Sequence, residues 1–506
     1  MNGMNDDPLD LLPELFLLGG AVLGLLTGMF LPRHRQPIVA WICALALTGG
    51  LAAGAFTAAR PGGMAFESYA LDPLTHVTRA TVMLATLLVV VLASGWARGH
   101  RRETEAYVLI LLSALGAVIL AGTADLLVFV AAYLLASIPA YALTGFAKDA
   151  PGTEAALKYY LMGAFLGVPM LAGVTLLYGL TGSTDYAALG GRLTGVPGAA
   201  VACALVALLA GVLFKIGGVP AHFWVPDVAE GAPAVVAAFV TTVPKVGAFV
   251  ALFRMAGEFF TASAADWRLL LALVATATMT LGNLAAFFQD NVRRLLAYST
   301  ISQAGYLLLP VVAVGRSDLA APALLFYLGA YAVTNLGAFA VVVATGRDSL
   351  GGYTGLARRS PGLAASLAVC LFGLIGTPPT AVFVGKLLAF AAAWDAGQAW
   401  LAVVAAANTV ASVFYYLRWV VPVFRPGDPA SPEGLGDPGS PEGLGDPEGP
   451  GDPGRPRRAE GPGDPGRPGG SAAGGVSRGA AWVAHVAAGA SVLLGVASGL
   501  MLARGW

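Results

Sequence analysis

Three lysines stand where a charge is costly. Lys215, Lys245 and Lys386 lie inside apolar runs, in L-F-K-I-G-G (213–218), V-P-K-V-G-A-F (243–249) and F-V-G-K-L-L-A-F (383–390). A lysine at the centre of a membrane helix costs about 2.5–3.5 kcal/mol on insertion scales. Unlike arginine, a buried lysine can gain and lose its proton under working conditions, so the chemistry these residues suit is proton uptake and release. Lys215 lies near the end of its run, where a side chain can snorkel to the interface. Lys245 is thirteen residues into its run, roughly 20 Å along a helix, which is too deep for that. His222, in P-A-H-F-W-V-P-D (220–227), follows a break in the apolar pattern, where an imidazole could relay protons. Glu154 and Lys158 are four residues apart and face one another on a helix; as a surface pair they would contribute only a few tenths of a kcal/mol, and they are placed with Lys215, Lys245, Lys386 and His222 on the expected proton pathway. No Asp or Glu falls in the middle of an apolar run. The chain thus offers buried bases and few buried acids. His76 and Arg79 are expected at the membrane interface.

The elements that carry these residues are membrane helices. The chain has 506 residues, 57% hydrophobic and 11% charged, against about 25% charged in soluble domains. Lys plus Arg is 29 and Asp plus Glu is 29, and only five of the bases are lysine. This composition excludes a cytosolic enzyme and a nucleic-acid binder with a basic footprint, and it predicts an all-α polytopic membrane protein. Fourteen apolar runs are long enough to cross a bilayer: 11–31, 38–58, 74–96, 105–122, 125–146, 157–180, 197–216, 232–253, 267–288, 294–314, 320–345, 363–392, 399–424 and 479–503. Loops after segments 1, 3, 5, 9 and 11 hold eleven Lys and Arg, against five in the opposite loops. The positive-inside rule makes the first set cytoplasmic and puts both termini on the other side.

Two segments carry helix breakers beside a lysine. Segment 7 ends in F-K-I-G-G-V-P (214–220), with Gly217, Gly218 and Pro220; segment 12 carries L-I-G-T-P-P-T (374–380), with Pro378 and Pro379. They are five segments apart, and an odd-numbered repeat places its second copy upside down, a pattern that points to a transport path near the midplane. Residues 425–478 interrupt the helical pattern with tandem copies of S-P-E-G-L-G-D-P and G-D-P-G-R-P. That composition predicts a disordered cytoplasmic loop that tethers segment 14 only loosely. Cys43, Cys203 and Cys370 lie in separate apolar stretches, with no disulfide or metal spacing, and read as small buried residues. No phosphate loop, dinucleotide fingerprint, nucleophile elbow, haem, flavin or iron–sulfur motif is present.

Several stretches carry a family resemblance. They are L-P-E-L (12–15), E-A-A-L-K-Y-Y-L-M-G-A-F (154–165), F-K-I-G-G-V-P-A-H-F-W-V-P-D-V-A-E-G-A-P (214–233), N-V-R-R-L-L-A-Y-S-T-I-S-Q-A-G-Y (291–306), G-T-P-P-T-A-V-F-V-G-K (376–386) and Y-Y-L-R (415–418). On these the chain resembles the subunit N family, antiporter-like membrane subunits of bacterial NADH-quinone oxidoreductase (respiratory complex I). The resemblance implies fourteen helices with two inverted five-helix repeats, segments 4–8 and 9–13. The chain then divides into N-terminal helices (1–104), a first repeat (105–253), a second repeat (254–424), the 425–478 loop and a C-terminal helix (479–506). It implies that Lys215 serves the first half-channel, that Lys245 links the halves and that Lys386 serves the second. It implies a bacterial inner-membrane location and proton movement coupled to quinone reduction. NADH, flavin, iron–sulfur clusters and quinone would sit on partner subunits, with no cofactor on this chain. The expected partners are the lipid bilayer and the other membrane and peripheral subunits, neighbouring antiporter-like subunits above all; nucleic acid is not among them. Two positions depart from the family pattern. The family usually has Glu three residues before the Ser of its segment 5 Ser-x-Pro motif; here that motif is Ser137-Ile138-Pro139 and the position is Leu134. The family often has His where Gln303 stands. These departures raise the alternatives of a non-conducting structural paralogue in the same complex, or a cation/proton antiporter component.

Overall fold

The computed structural model describes residues 7–426 and 477–502. Its helices are α1 (Leu12–Phe30), α2 (Pro37–Ala58), α3 (Pro73–Trp96), α4 (Glu103–Gly122), α5 (Leu126–Thr144) and α6 (Ala150–Thr181). Then come α7 (Tyr186–Arg192), α8 (Gly198–Ile216), α9 (Trp224–Gly231), α10 (Ala234–Met255), α11 (Trp267–Ala286) and α12 (Val292–Ala313). The last are α13 (Ala320–Thr345), α14 (Leu356–Arg359), α15 (Pro361–Ile375), α16 (Ala381–Asp395), α17 (Ala399–Phe424) and α18 (Arg478–Leu502). A short antiparallel hairpin, β1 (Gly63–Ala65) and β2 (Tyr69–Leu71), precedes α3. Among the described residues, thirteen helical spans are long and apolar enough to cross a membrane. The expected segment 12 is two helices of 15 residues each, α15 and α16, separated by the Gly-Thr-Pro-Pro stretch. Most of the 425–478 loop, residues 427–476, lies outside the described residues.

Carboxylates open many of these helices. Asp72, Asp125, Asp149, Asp185 and Asp266 each accept a backbone N–H of the first turn, and Asn291 does the same for α12. An N-cap satisfies donors that have no partner within the helix. This accounts for acids at segment starts and their absence from segment interiors.

The core is built around α10, whose apolar window is entirely buried, and α12, whose window is 94% buried. By contrast only 39% and 33% of the α1 and α2 windows are covered, so these two helices form an outer flank. Gly247 lets α10 approach the Ala117 carbonyl of α4 so closely that no side chain would fit. Without a hydrophobic drive between helices in lipid, such backbone approach is what holds them together. Cys43 and Cys370 are buried as expected; Cys203 instead lies exposed on α8.

The C-terminal helix is seated by packing against the described helices. It lies against α13, α15, α16 and α3. Ser366 and His485 share a hydrogen bond of 2.8 Å, and Thr334 and Ser491 one of 3.0 Å. Gly495 abuts the Pro379 carbonyl and Thr380 in the break between α15 and α16, leaving no room for a Cβ.

Arg79 is fully buried within the chain. Its Nε and Nη2 donate to Glu14 Oε1 and Oε2 at 2.7 and 2.9 Å, and Nη2 also donates to the Asp10 carbonyl at 3.0 Å. Tyr69 of β2 donates to the same Glu14 carboxylate at 2.7 Å. The pair ties α1, the hairpin and α3 together, and its partner lies 65 residues away in sequence, which hides it from local patterns. Removing one member of a buried pair strands the other charge, at about 3–5 kcal/mol. Arg79→Leu is therefore expected to lower the thermal unfolding temperature of the purified protein sharply. Arg79→Leu with Glu14→Leu should recover much of the loss, and equal instability of the single and double variants would contradict this account.

Candidate functional site: buried lysines at two helix breaks

The first break follows α8. The helix ends at Gly217, whose φ of 73° is left-handed, and Gly217 and Gly218 donate back to the Phe214 and Leu213 carbonyls at 3.1 and 2.8 Å. Glycine takes this conformation without a Cβ penalty. The chain then turns through a cis Val219–Pro220 bond into α9. Groups freed by the break find partners. Trp224 Nε1 donates to the Phe214 carbonyl at 2.9 Å, and the Val219 N–H donates to Thr278 of α11 at 3.0 Å. Such satisfaction is what makes irregular backbone tolerable at membrane depth. The second break repeats the design. α15 ends at Gly376 with φ 88°, a cis Pro378–Pro379 bond follows, and Thr380 donates to the Thr377 carbonyl at 2.7 Å before α16 begins.

All three lysines are buried, at 2%, 2% and 3% exposure for Lys215, Lys245 and Lys386. Among the described residues none of them pairs with a carboxylate. Lys215 Nζ donates to Ser137 Oγ at 2.7 Å and stands 5.5 Å from the Tyr133 ring centre. Lys386 Nζ donates to the Ile375 carbonyl at 2.9 Å and sits 4.2 Å from the Tyr306 ring centre. Lys245 Nζ has no hydrogen-bond partner and lies 6.0 Å from the Trp224 ring centre. Ring faces attract cations and carry no proton of their own to exchange. His222 is also buried, with Nδ1 unpartnered and its ring against Phe223. Among the described residues no group of His, Cys, Asp and Glu could hold a metal ion.

Gln303 reaches the second break directly. Its Nε2 donates to the Leu374 carbonyl at 2.8 Å, the carbonyl that Lys386 also approaches at 3.4 Å, while its Oε1 accepts from Tyr327 at 2.5 Å. Further hydroxyls and amides surround this point. Tyr331 donates to Thr300 and to the Thr241 carbonyl, and Asn335 donates to Thr242, one turn from Lys245 on α10. On the far side Ser299 bonds Tyr416, Tyr415 donates to Asn283, and Asn283 and Asn408 join at the seam of α11 and α17. Sequence reasoning singled out Gln303 and missed the other neutral residues. Their signal was present as isolated Thr, Ser and Asn in otherwise apolar runs, without a period that tells which of them face one another.

Two expectations change. Glu154 and Lys158 do pair, at 2.8 Å, but at the surface. Lys158 also pairs with Asp227 at 3.0 Å, Arg294 pairs with Asp227 at 3.2 Å and with Glu230 at 2.7 Å, and the resulting network ties α6, α9 and α12 together. These two residues therefore lie apart from the buried lysines. Leu134 is 47% exposed, on an outward stripe of α5 with Leu127, Ala131, Ile138 and Ala142. Tyr133 and Ser137 take the inward face, so an acid at 134 would leave the outer surface of the chain rather than meet Lys215 beside Ser137. The deeply buried arginine of α10 is treated differently from the lysines. Arg254 donates to both Asp72 oxygens at 2.7 and 3.0 Å and to the Ala121 carbonyl at 3.1 Å. Burial resists ionisation of Asp72, yet the guanidinium holds its carboxyl below the usual range.

Known proteins share this architecture. Residues 123–413 match the family described as NADH:quinone oxidoreductase/Mrp antiporter, TM. The chain is 55% identical over 425 residues to NADH-quinone oxidoreductase subunit N 1 of Streptomyces griseus, covering 84% of this chain and 90% of that one. It is similar to a chain of respiratory complex I from Thermus thermophilus, with a TM-score of 0.74, 33% identity and coverage of 97% and 98%. It is also similar to a chain of the Mrp complex from Dietzia sp., with a TM-score of 0.78, 26% identity and coverage of 98% and 95%. The inward lysines, the paired breaks and these matches lead to one assignment: the chain belongs to the antiporter-like membrane-subunit family of NADH-quinone oxidoreductase and Mrp complexes, with the subunit N proteins.

Proposed function

We propose that this chain moves protons across the bacterial inner membrane through Lys215, Lys245 and Lys386, coupled to quinone reduction in partner subunits. The observation that carries the reading is the burial of three ammonium groups without carboxylates, next to two glycine-ended helix breaks of like design. A lysine held this way can load and unload a proton, and no fixed counter-charge locks it in one state. The two breaks then belong to inverted repeats over 105–253 and 254–424, with His222 beside the first. Both termini face away from the cytoplasm, following the loop charges. NADH, flavin, iron–sulfur clusters and quinone belong to the partner subunits in this reading.

A spacer reading has one specific observation in its favour. Gln303, an amide that cannot titrate, holds the carbonyl beside Lys386. The two readings part on a direct measurement. Lys245→Ala and Lys386→Ala, each in membranes carrying the assembled complex, are expected to cut NADH-driven proton uptake by about tenfold or more. Unchanged uptake at equal assembly would establish the spacer reading instead. Leu134→Glu is expected to change uptake by less than about twofold, because position 134 faces outward. A clear gain would mean that the outer face of α5 communicates with Lys215. Purification with redox subunits is the expected result; isolation with small antiporter subunits would favour a cation/proton antiporter.

A further inference from the structure

Among the described residues the buried lysines lack acids, yet two of them share a local design at the helix ends. Gly217 and Gly376 close the helices before the two breaks, each with a left-handed φ. A Cβ on Gly217 would stand 2.9 Å from Lys245 Nζ and 3.0 Å from Val225 Cγ2. A Cβ on Gly376 would stand 2.9 Å from Lys386 Cδ and 3.6 Å from its Cε. Neither lysine is a sequence neighbour of its glycine: Lys245 comes from α10 and Lys386 from α16. In both halves a later helix thus lays a lysine tip across the C-terminal end of the broken helix. That end presents carbonyls without helical partners and the negative pole of the helix. Half-helix ends of this kind coordinate cations in other transport folds. In the second half the contact is made, through the Leu374 and Ile375 carbonyls, two and one residues before Gly376. In the first half Lys215 and Ile216 hold those places before Gly217, and Lys245 Nζ stands beside the glycine without a hydrogen bond.

We infer that Gly217 and Gly376 are positioning residues that leave space for Lys245 and Lys386 to lie at the ends of the broken helices, where the Leu374 and Ile375 carbonyls take the place of a carboxylate for Lys386 and the negative pole of α8 does so for Lys245 without a hydrogen bond. The inference rests on the proton-carrying role of these lysines. Any side chain at either glycine fills the place where the lysine lies, and the ammonium then has no acid to turn to.

The backbone strain of a substitution must be separated from the clash, and Gly346 allows this. It closes α13 with φ 62° and has open space around it, so Gly346→Ala carries a comparable backbone penalty and touches no lysine. In membranes with the assembled complex, Gly376→Ala is expected to lower NADH-driven proton uptake per complex by about tenfold, the loss of one charged hydrogen bond, and Gly217→Ala, which displaces an ammonium that makes no hydrogen bond, is expected to lower it less than Gly376→Ala but more than Gly346→Ala. Gly346→Ala is expected to stay within about twofold of the parent. Uptake in Gly376→Ala equal to that in Gly346→Ala overturns the inference. If Gly376→Ala fails to assemble, Gly376→Ala with Lys386→Ala decides: recovery to the level of Lys386→Ala alone supports the clash, and no recovery overturns it. Loss of uptake in Lys386→Ala with normal uptake in Gly376→Ala removes the positioning role alone. Full uptake in Lys386→Ala removes the proton-carrying reading and this inference with it.

Discussion

The structure turns on the burial of charge in a medium that does not solvate it. An isolated ammonium in hydrocarbon is expensive, and proteins lower that cost by pairing, hydrogen bonding or neutralisation. Here the two solutions are divided by residue type. Arg79 and Arg254 are buried with Glu14 and Asp72, each through a two-pronged contact. Lys215, Lys245 and Lys386 are buried with a serine hydroxyl, aromatic faces and peptide carbonyls. A guanidinium with its carboxylate stays charged and holds helices in place. A lysine among neutral groups keeps the choice between two protonation states, which is the property that a carrier needs and a clamp must not have.

The remaining architecture serves that division. Breaking α8 and α15 exposes carbonyl ends at membrane depth, which is tolerable only because Trp224, Thr278 and Thr380 restore the lost hydrogen bonds. The fully covered α10 runs through the centre, carrying Lys245 in its middle and Arg254 in its last turn. Around it the hydroxyls and amides of α12, α13 and α17 form a polar interior that remains neutral. Close backbone approach at Gly247 gives the bundle its tightness without side chains.

Much of this was legible in the sequence, because bilayer crossing imposes long apolar runs and the helix breakers stand out against them. The membrane helices, the two breaks and the three lysines could be read directly from residue type and spacing. What could not be read were pairings between distant residues. Arg79 could not be read as half of a buried pair because its partner Glu14 lies at the start of another helix. Leu134 looked like a lost counter-charge because motif spacing gives position along α5 and not the face it presents. Glu154 and Lys158 were placed on the proton pathway, whereas their pairing belongs to a surface network with Asp227. The neutral bridge from Gln303 to Leu374 needed the second break to be folded before it had any meaning.

The packing of α18 bears on how this gene product tolerates change in length. The helix is held by Gly495 against the second break and by its contacts with α13 and α15. Closing a longer connection adds only about 0.6 kcal/mol for each doubling. Tandem duplication in the Pro- and Gly-rich stretch can therefore proceed almost neutrally, one copy at a time. The interface that receives the last helix, where Gly495 leaves no room for a Cβ beside the Pro379 carbonyl, is by contrast held to a single fit.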